Sequence, residues 1–509
     1  MEMIVSAITG DLVARSVSFL MGRYLNWTAP TDDSDRLLQR LLLRAQVIVE
    51  EAEGRRITTH AMLRQLAKLR EDVYRGCYAL DMSSSRRRDR DRELSRRRSS
   101  ALSRSNPCKR VCLMATSGSG GGDPLQHAVT RSLETTIADM NEFVIFLTGC
   151  PRLGRQPYSA YMFMDKCMFG RQMEMERVVA FLLEEETSHG GSSRREPGVL
   201  TILGPKRAGK STLAEHACND ERVRDHFSQI VSFALGDLKD DGSSVSLRRS
   251  GGVIKHRRHV IDEERVLVIV ELDGERNTKG LDETIMESSL RGFYSTYKSR
   301  VPCVTKIIVT SRSEKIASFA TTEPLRLRPL SREAFWYFFK VRAFGSTDAA
   351  DHPKLASIAM DMAEEMDGSF AAASIFGGLV RSNFNPQFWR LALAVLREFK
   401  KRNLIKYDAH QRTETDPLEI IKPSSYTKEA AGEFVYLDDY QINSSTRGEV
   451  PKISLQDILF GGARPQGKFD VLGWKSTIPP YYSYAYRCEI QRPQRMVARK
   501  NRGRKIGNS

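Results

Sequence analysis

The chain has 509 residues, with 79 Lys plus Arg against 63 Asp plus Glu and a formal charge of +16. Its length gives room for roughly two to four domains, each with its own core. At 40% hydrophobic and 28% charged residues, the composition excludes a wholly disordered or fibrous chain. The charge is concentrated in two places: residues 82–110 carry a net +8 and residues 491–505 a net +7. The remainder is close to neutral, which excludes a globular nucleic-acid-binding domain with a basic face.

Eight cysteines without regular spacing point to a reducing compartment rather than a disulfide framework. The opening stretch MEMIVSAITGDLVARSVSFLMG has Glu2 where a signal peptide needs positive charge, and Asp11 and Arg15 interrupt its apolar run. It reads as neither a signal peptide nor a membrane span. The expectation is a soluble cytoplasmic protein without a transmembrane segment, with nuclear entry if the basic clusters act as import signals.

In chain order, residues 1–82 are predicted to form three or four amphipathic helices. Leu37, Leu41, Ala45, Ile48 and Ala52 recur at helical spacing, as do Met62, Leu66, Leu69, Val73 and Leu80. Asp32, Asp33 and Ser34 offer N-cap chemistry and Gly54 a stop. A small bundle and an association module fit this pattern equally. Residues 83–124, Ser/Arg-rich and then Gly/Ser-rich, are predicted to be a flexible linker. Residues 125–164 are expected to form a helical connector, broken at Pro151 and Pro157.

From residue 165 to 325, short apolar runs at Val199–Leu203, Ile230–Ala234, Val266–Val270 and Lys306–Thr310 alternate with helical stretches. This predicts a parallel sheet covered on both faces. Residues 326–405 continue as a helical extension. Residues 406–490 are expected to be a small β-rich unit with short pieces at Phe434–Leu437, Lys452–Leu455, Phe469–Trp474 and Tyr481–Tyr486, before a basic tail at 491–509. The fold class is therefore multidomain: a helical bundle, an α/β P-loop domain with a helical extension, and a β-rich tail.

Gly204-Pro205-Lys206-Arg207-Ala208-Gly209-Lys210-Ser211 matches G-x-x-x-x-G-K-[ST]. The apolar run VLTIL precedes it, and Thr212 continues into a helix. Glycines let backbone N–H groups turn inward around phosphates, and the helix N-terminus adds partial positive charge. Lys210 is the expected point charge on the terminal phosphates, and Ser211 the expected Mg²⁺ hydroxyl. The predicted cofactors are ADP or ATP with Mg²⁺.

Around this loop the motifs fall in the order found in the NB-ARC domain of plant NLR immune receptors. Met168-Phe169-Gly170-Arg171 resembles the hydrophobic-Gly-Arg segment that lies against adenine in that family. Lys306 to Arg312 (KIIVTSR) resembles the strand ending in its sensor arginine, which implies that Arg312 reports on the γ-phosphate. Leu325 to Ser331 with Phe335 to Phe339 is similar to the family's next helix-opening motif, and Gly368 to Arg381 to its G-L-P-L-A block. Leu69 to Tyr74 (LREDVY) is similar to the acidic motif of the coiled-coil domains of these receptors, especially in grasses.

The departures are specific. Where the family has two consecutive aspartates, this strand ends Val270-Glu271-Leu272-Asp273, which puts Glu271 at the metal position and Leu272 at the place of the catalytic acid. Strand alternation sends Glu271 and Asp273 one way and Leu272 the other. Slow turnover is expected, with Leu272→Asp raising it if Glu271 can hold Mg²⁺. Ser369 and Phe370 replace the Leu-Pro pair, and there are no leucine-rich repeats.

His256-x-x-His259 and Cys108-x-x-x-Cys112 lack further ligands at suitable spacing and read as a solvated loop and two thiols. No covalent catalysis is expected, so there are no catalytic residues to name. The resemblance implies a defence-signalling switch or an adaptor that pairs with itself or with full-length receptors through the N-terminal helices. An ATPase with a conformational cycle and a nucleotide-independent scaffold are the rivals. The basic segments would meet an import receptor or an acidic surface, or serve only solubility.

Overall fold

The computed structural model describes residues 33–102, 124–152, 168–184, 197–205, 208–234, 252–256, 265–272, 283–300, 304–345, 347–409, 433–442, 450–459, 463, 465, 467–476 and 481–491. Two compact units divide the chain, Met1–Leu396 with Ser476–Tyr481, and Arg397–Lys475 with Tyr482–Ser509. The expected helix within residues 1–32, the thiols Cys108 and Cys112, His259, and the basic tail lie outside the described residues.

The first unit opens with α1 (Asp33–Glu53) and α2 (His60–Leu102), followed by α3 (Pro124–Ala138) and α4 (Asn141–Thr148). These four share one apolar core, with Leu38, Leu42 and Ala45 of α1, Leu66 and Leu69 of α2, Leu133 of α3 and Phe143 of α4. Gly76 allows α2 to lie close on α1, since a Cβ there would come 2.6 Å from Leu42. The apolar stripes of residues 33–82 thus find their cover within the chain. Residues 124–148, expected as a connector, complete the bundle instead.

A second correction concerns the linker. Residues 83–102 are helical, as the continuation of α2. Between Cys77 and Asn106 there is no Gly or Pro, and acids at 89, 91 and 93 fall three or four residues from arginines at 86, 87, 92, 96 and 97. Arginine is a good helix former, and such pairs support a helix. The first turn past residue 82 is anchored, because Arg87 pairs with the buried Asp35, which also accepts from Gln126 Nε2 at 2.7 Å.

After α5 (Gln172–Leu183), a six-stranded sheet forms in the order β3-β2-β4-β5-β1-β6. Its strands are β1 (Gly198–Leu203), β2 (Gln229–Ala234), β3 (Gly252–His256), β4 (Val266–Glu271), β5 (Val304–Ser311) and β6 (Leu325–Arg326). The four expected strands pair in parallel, and β6 joins them in parallel. Antiparallel β3 was not anticipated; it puts His256 on an edge strand rather than in a loop. One face packs Leu200, Ile202, Leu267, Ile269 and Ile308 against α5, α6 (Lys210–Cys218) and α7 (Glu221–His226). The other packs Val268, Val270, Val309 and Leu272 against α8 (Glu283–Arg300) and the 3₁₀ turn Glu314–Phe319.

The helical extension comprises α9 (Arg332–Phe344), α10 (Pro353–Glu365), α11 (Phe370–Arg381) and the start of α12 (Pro386–Ala409). Trp389 is fully buried, its indole N–H donating to Val380 O and Asn383 O at 3.0 and 2.9 Å. In the second unit, β7 (Glu433–Ile442), β9 (Ser483–Gln491) and β8 (Gly467–Lys475) form an antiparallel sheet in that order. Lys452–Leu455 is not a strand. Only Ser454 bridges β8, and the chain then enters the short helix α13 (Leu455–Leu459).

Candidate nucleotide site

The phosphate loop leaves β1, whose six residues are all buried, and ends where α6 begins at Lys210. Gly209, the N-cap, has φ +90°, a left-handed conformation that glycine takes without strain. Gly204 is held from two sides. Its N–H donates to Ser311 O at 3.3 Å, and a Cβ on it would come 2.8 Å from the Leu327 carbonyl oxygen. Only glycine fits there. Leu327 N–H in turn donates to Leu203 O at 2.7 Å, so the loop is clamped between the ends of β1 and β5 and the chain following β6.

Lys210 is 6% exposed, and its Nζ donates to Gly204 O and Pro205 O at 2.8 and 2.9 Å. An ammonium buried in this way sits inside the turn that its own loop makes. Ala208 is buried, Ser211 and Thr212 half-buried on the first turn of α6, and Lys206 and Arg207 lie outside the described residues.

The segment before α5 closes over this loop. Met168 Cε would lie 3.2 Å from a Cβ on Gly209. Gly170 has φ +70°, and Arg171 is buried, donating to Arg328 O at 2.6 Å and to Glu174 Oε1 at 3.2 Å. The Arg171 Nε has no hydrogen-bond partner among the described residues. A buried N–H in that state marks a place where an acceptor is wanted. Together with the glycine cradle and Lys210, this donor-rich arrangement fits a nucleotide phosphate.

Glu271 ends β4 half-buried, and Arg312 is exposed just past the end of the neighbouring β5. The sheet topology therefore brings Gly204, Gly209 to Ser211, Glu271 and Arg312 to the C-terminal ends of the neighbouring strands β1, β5 and β4, with Gly170 and Arg171 beside the loop. Leu272 is fully buried in the opposite layer, with Val268 and Val270. Asp273 lies outside the described residues. Ser369, at the place of the family's leucine, caps α11 by accepting from Ala372 N–H at 3.2 Å. Phe370 packs on Phe338, ring centroids 5.2 Å apart.

Three groups beside the loop and Glu271 were not singled out by the sequence reading: the Leu327 backbone, Thr310 next to Glu271 in the sheet, and Glu215 on α6. Glu215 was detectable, since it falls four residues after Ser211 on one helix face. Its pKa is pushed up to about 7, first by burial and then by the Glu271 charge. His216, also desolvated, is shifted down.

The LREDVY motif connects this site to the bundle. Asp72 is fully buried and accepts from Thr136 Oγ1 at 2.6 Å, Lys68 Nζ at 3.0 Å and Ser132 Oγ at 3.2 Å. Its neighbour Glu71 accepts from Ser331 Oγ at 3.2 Å, at the cap of α9. The Tyr74 ring lies 5.4 Å from Phe169 and 5.1 Å from Tyr337.

A phosphate loop on a parallel sheet, roofed by a Gly-Arg segment and followed by a helical layer, defines a P-loop nucleotide-binding module. Residues 171–349 match the NB-ARC domain family. The chain is similar to disease resistance protein RGA2 of Solanum bulbocastanum, 26% identical over 44% of this chain and 23% of that one. To RPP13-like protein 1 of Arabidopsis thaliana it is 23% identical over 74% of this chain and 35% of the relative. A further Arabidopsis thaliana relative described as a disease resistance protein is 30% identical over 39% of this chain and 54% of its own length. The chain thus spans about a quarter to a half of these relatives. It carries a nucleotide-binding module of the kind found in plant disease resistance proteins.

Proposed function

We propose that the chain is a nucleotide-dependent switch or adaptor in plant defence signalling, of the NLR type, holding ADP or ATP with Mg²⁺ and turning it over slowly or not at all. The observation that carries this reading is the phosphate loop itself, with Lys210 buried inside a turn that admits only glycine at position 204. Ser211 and Glu271 would hold the metal, which would offset the negative charge of the phosphates. Arg171 and the loop amides would position the nucleotide, and Arg312 would meet the terminal phosphate. Burial of Leu272 on the far side of the sheet argues against fast hydrolysis.

The N-terminal helices would pair with a second copy or with a full-length receptor. Val144, Ile145 and Phe146 on α4, three successive apolar residues exposed by 42%, 67% and 64%, support such a surface. The basic segments would meet an import receptor or an acidic surface. A cytoplasmic location is part of this reading, with nuclear entry if the basic segments act as import signals; among the described residues no helix is long and apolar enough to cross a membrane.

Calorimetry on the full chain tests the central claim. ADP and ATP should bind the wild type, and Lys210→Ala should weaken both by about tenfold or more, as expected for loss of a charge-assisted phosphate contact. Equal binding by the variant, or none by the wild type, rejects the site.

A further inference from the structure

With Leu272 turned into the opposite layer, β4 delivers the Glu271 carboxylate, and not its immediate neighbour, to the phosphate side of the sheet. A second acid comes from a different element. Glu215 stands one helical turn after Ser211, on the same face of α6, and is half-buried. The helix packs on β5, the strand beside β4.

A third group lies between them in the sheet. Thr310 of β5 is the register partner of Glu271 on β4. Ile308 and Ile269, two residues earlier on each strand, belong to the apolar layer under α6, so Thr310 and Glu271 point to that side as well. Thr310 is 1% exposed, and its hydroxyl has no hydrogen-bond partner among the described residues. A buried hydroxyl in that state calls for a ligand or an ordered water.

The result is an oxygen donor set of two mutually repelling carboxylates and two hydroxyls beside a phosphate loop. Repulsion of this kind is relieved when a divalent cation sits between the acids. Among the described residues no group of three or more His, Cys, Asp and Glu could hold a metal ion unaided. Mg²⁺ characteristically takes one or two carboxylates and completes its shell with waters and substrate phosphates.

We propose that Glu215 acts with Glu271 as a second carboxylate for the hydrated Mg²⁺ of a bound nucleoside diphosphate or triphosphate, with the uncommitted Thr310 hydroxyl as an oxygen partner for the ion's water shell. This rests on the nucleotide-binding reading of the loop. It assigns to the helix after the loop an acid in addition to the one that β4 supplies.

The test uses the full-length protein and separates nucleotide affinity from metal affinity. ADP binding is measured by calorimetry in EDTA and across a Mg²⁺ series, and Mn²⁺ binding to the ADP-loaded protein by electron paramagnetic resonance. For Glu215→Gln we expect ADP binding in EDTA to stay within about twofold of wild type, while the Mg²⁺ and Mn²⁺ needed for half-saturation rise about 10- to 100-fold. Thr310→Val should shift the metal response in the same direction by less. Glu215→Asp, which keeps the charge, should fall between wild type and Gln, and it serves if the Gln variant does not fold. A wild-type metal response in Glu215→Gln, or a tighter one, overturns the proposal while leaving nucleotide binding intact. Absence of ADP binding by the wild type at every Mg²⁺ concentration overturns the underlying reading as well.

Discussion

Asp81 and Lys340 form a mostly buried ion pair, Oδ2 to Nζ 2.8 Å, between the bundle helix α2 and the first helix after the sheet, α9. The same carboxylate accepts from the Trp336 indole N–H at 2.9 Å. Two donors from α9 therefore depend on one acid from α2.

Removing that acid leaves a tryptophan N–H and an ammonium without their acceptor, and the loss of a paired group costs more than the pair contributes. Asp81→Ala should lower the unfolding free energy by about 2–4 kcal/mol. Lys340→Met should cost less, because the Trp336 bond survives and the replacement is apolar. Urea denaturation of the two single variants and the double variant measures the coupling. Additive losses would show that the contact does not hold the bundle against α9.

Gly170 is the conformational pivot of the segment over the loop. It has φ +70°, and a Cβ would come 2.8 Å from Leu330 Cδ2. Gly170→Ala carries a left-handed penalty of about 1–2 kcal/mol, and the leucine must move as well. Because Phe169 and Arg171 flank this residue, the expected outcome is reduced thermal stability together with weaker ADP binding. Unchanged ADP affinity in a folded variant would detach the segment from the site.

The pKa of Glu215, raised to about 7 by burial and then by Glu271, makes stability depend on pH in the metal-free protein. A carboxyl whose folded pKa exceeds its unfolded value holds its proton more tightly when folded. Its contribution is complete below about pH 4.5 and is lost as pH rises through about 7. Urea midpoints should therefore fall between pH 5 and pH 8, and Glu215→Gln should reduce the fall. A variant with the wild-type slope would assign the dependence to other groups.

What the sequence made legible divides along physical lines. The four central strands and the phosphate loop were readable because buried parallel strands are continuous apolar runs and the loop's glycines are fixed by backbone geometry. Edge strand β3, GVIKH with its Gly and charged residues, and the two-residue β6 carry no such run. The bundle was half legible. Periodicity located α1 and the start of α2, but which segment covers them is long-range information, supplied here by Leu133 and Phe143 across a charged interval. The helical continuation of α2 was hidden by composition, since an Arg/Ser-rich run reads as a linker until the spacing of its acids is considered. At the site, Lys210 and Ser211 followed from the motif, whereas Thr310 required the β4–β5 register.

The same register decides the outcome of Leu272→Asp. On sequence grounds this change restores the family's second acid and should raise hydrolysis. In the structure Leu272 is fully buried among Val231, Phe233, Val268, Val270 and Phe293, an apolar layer with no partner for a carboxylate. The backbone there is fixed too, because Leu272 N–H donates to Thr310 O at 3.1 Å. An acid at this place must either stay protonated or break the layer, and either course costs about 3 kcal/mol or more. Leu272→Met, which preserves volume, should cost less than about 1.5 kcal/mol. The expected result is a markedly destabilised Asp variant with no gain in single-turnover hydrolysis of ATP, and a near-normal Met variant. Faster hydrolysis in an Asp variant of normal stability would require residue 272 to turn out of the layer under α8 and face the phosphates, and it would transfer the second carboxylate from Glu215 back to β4.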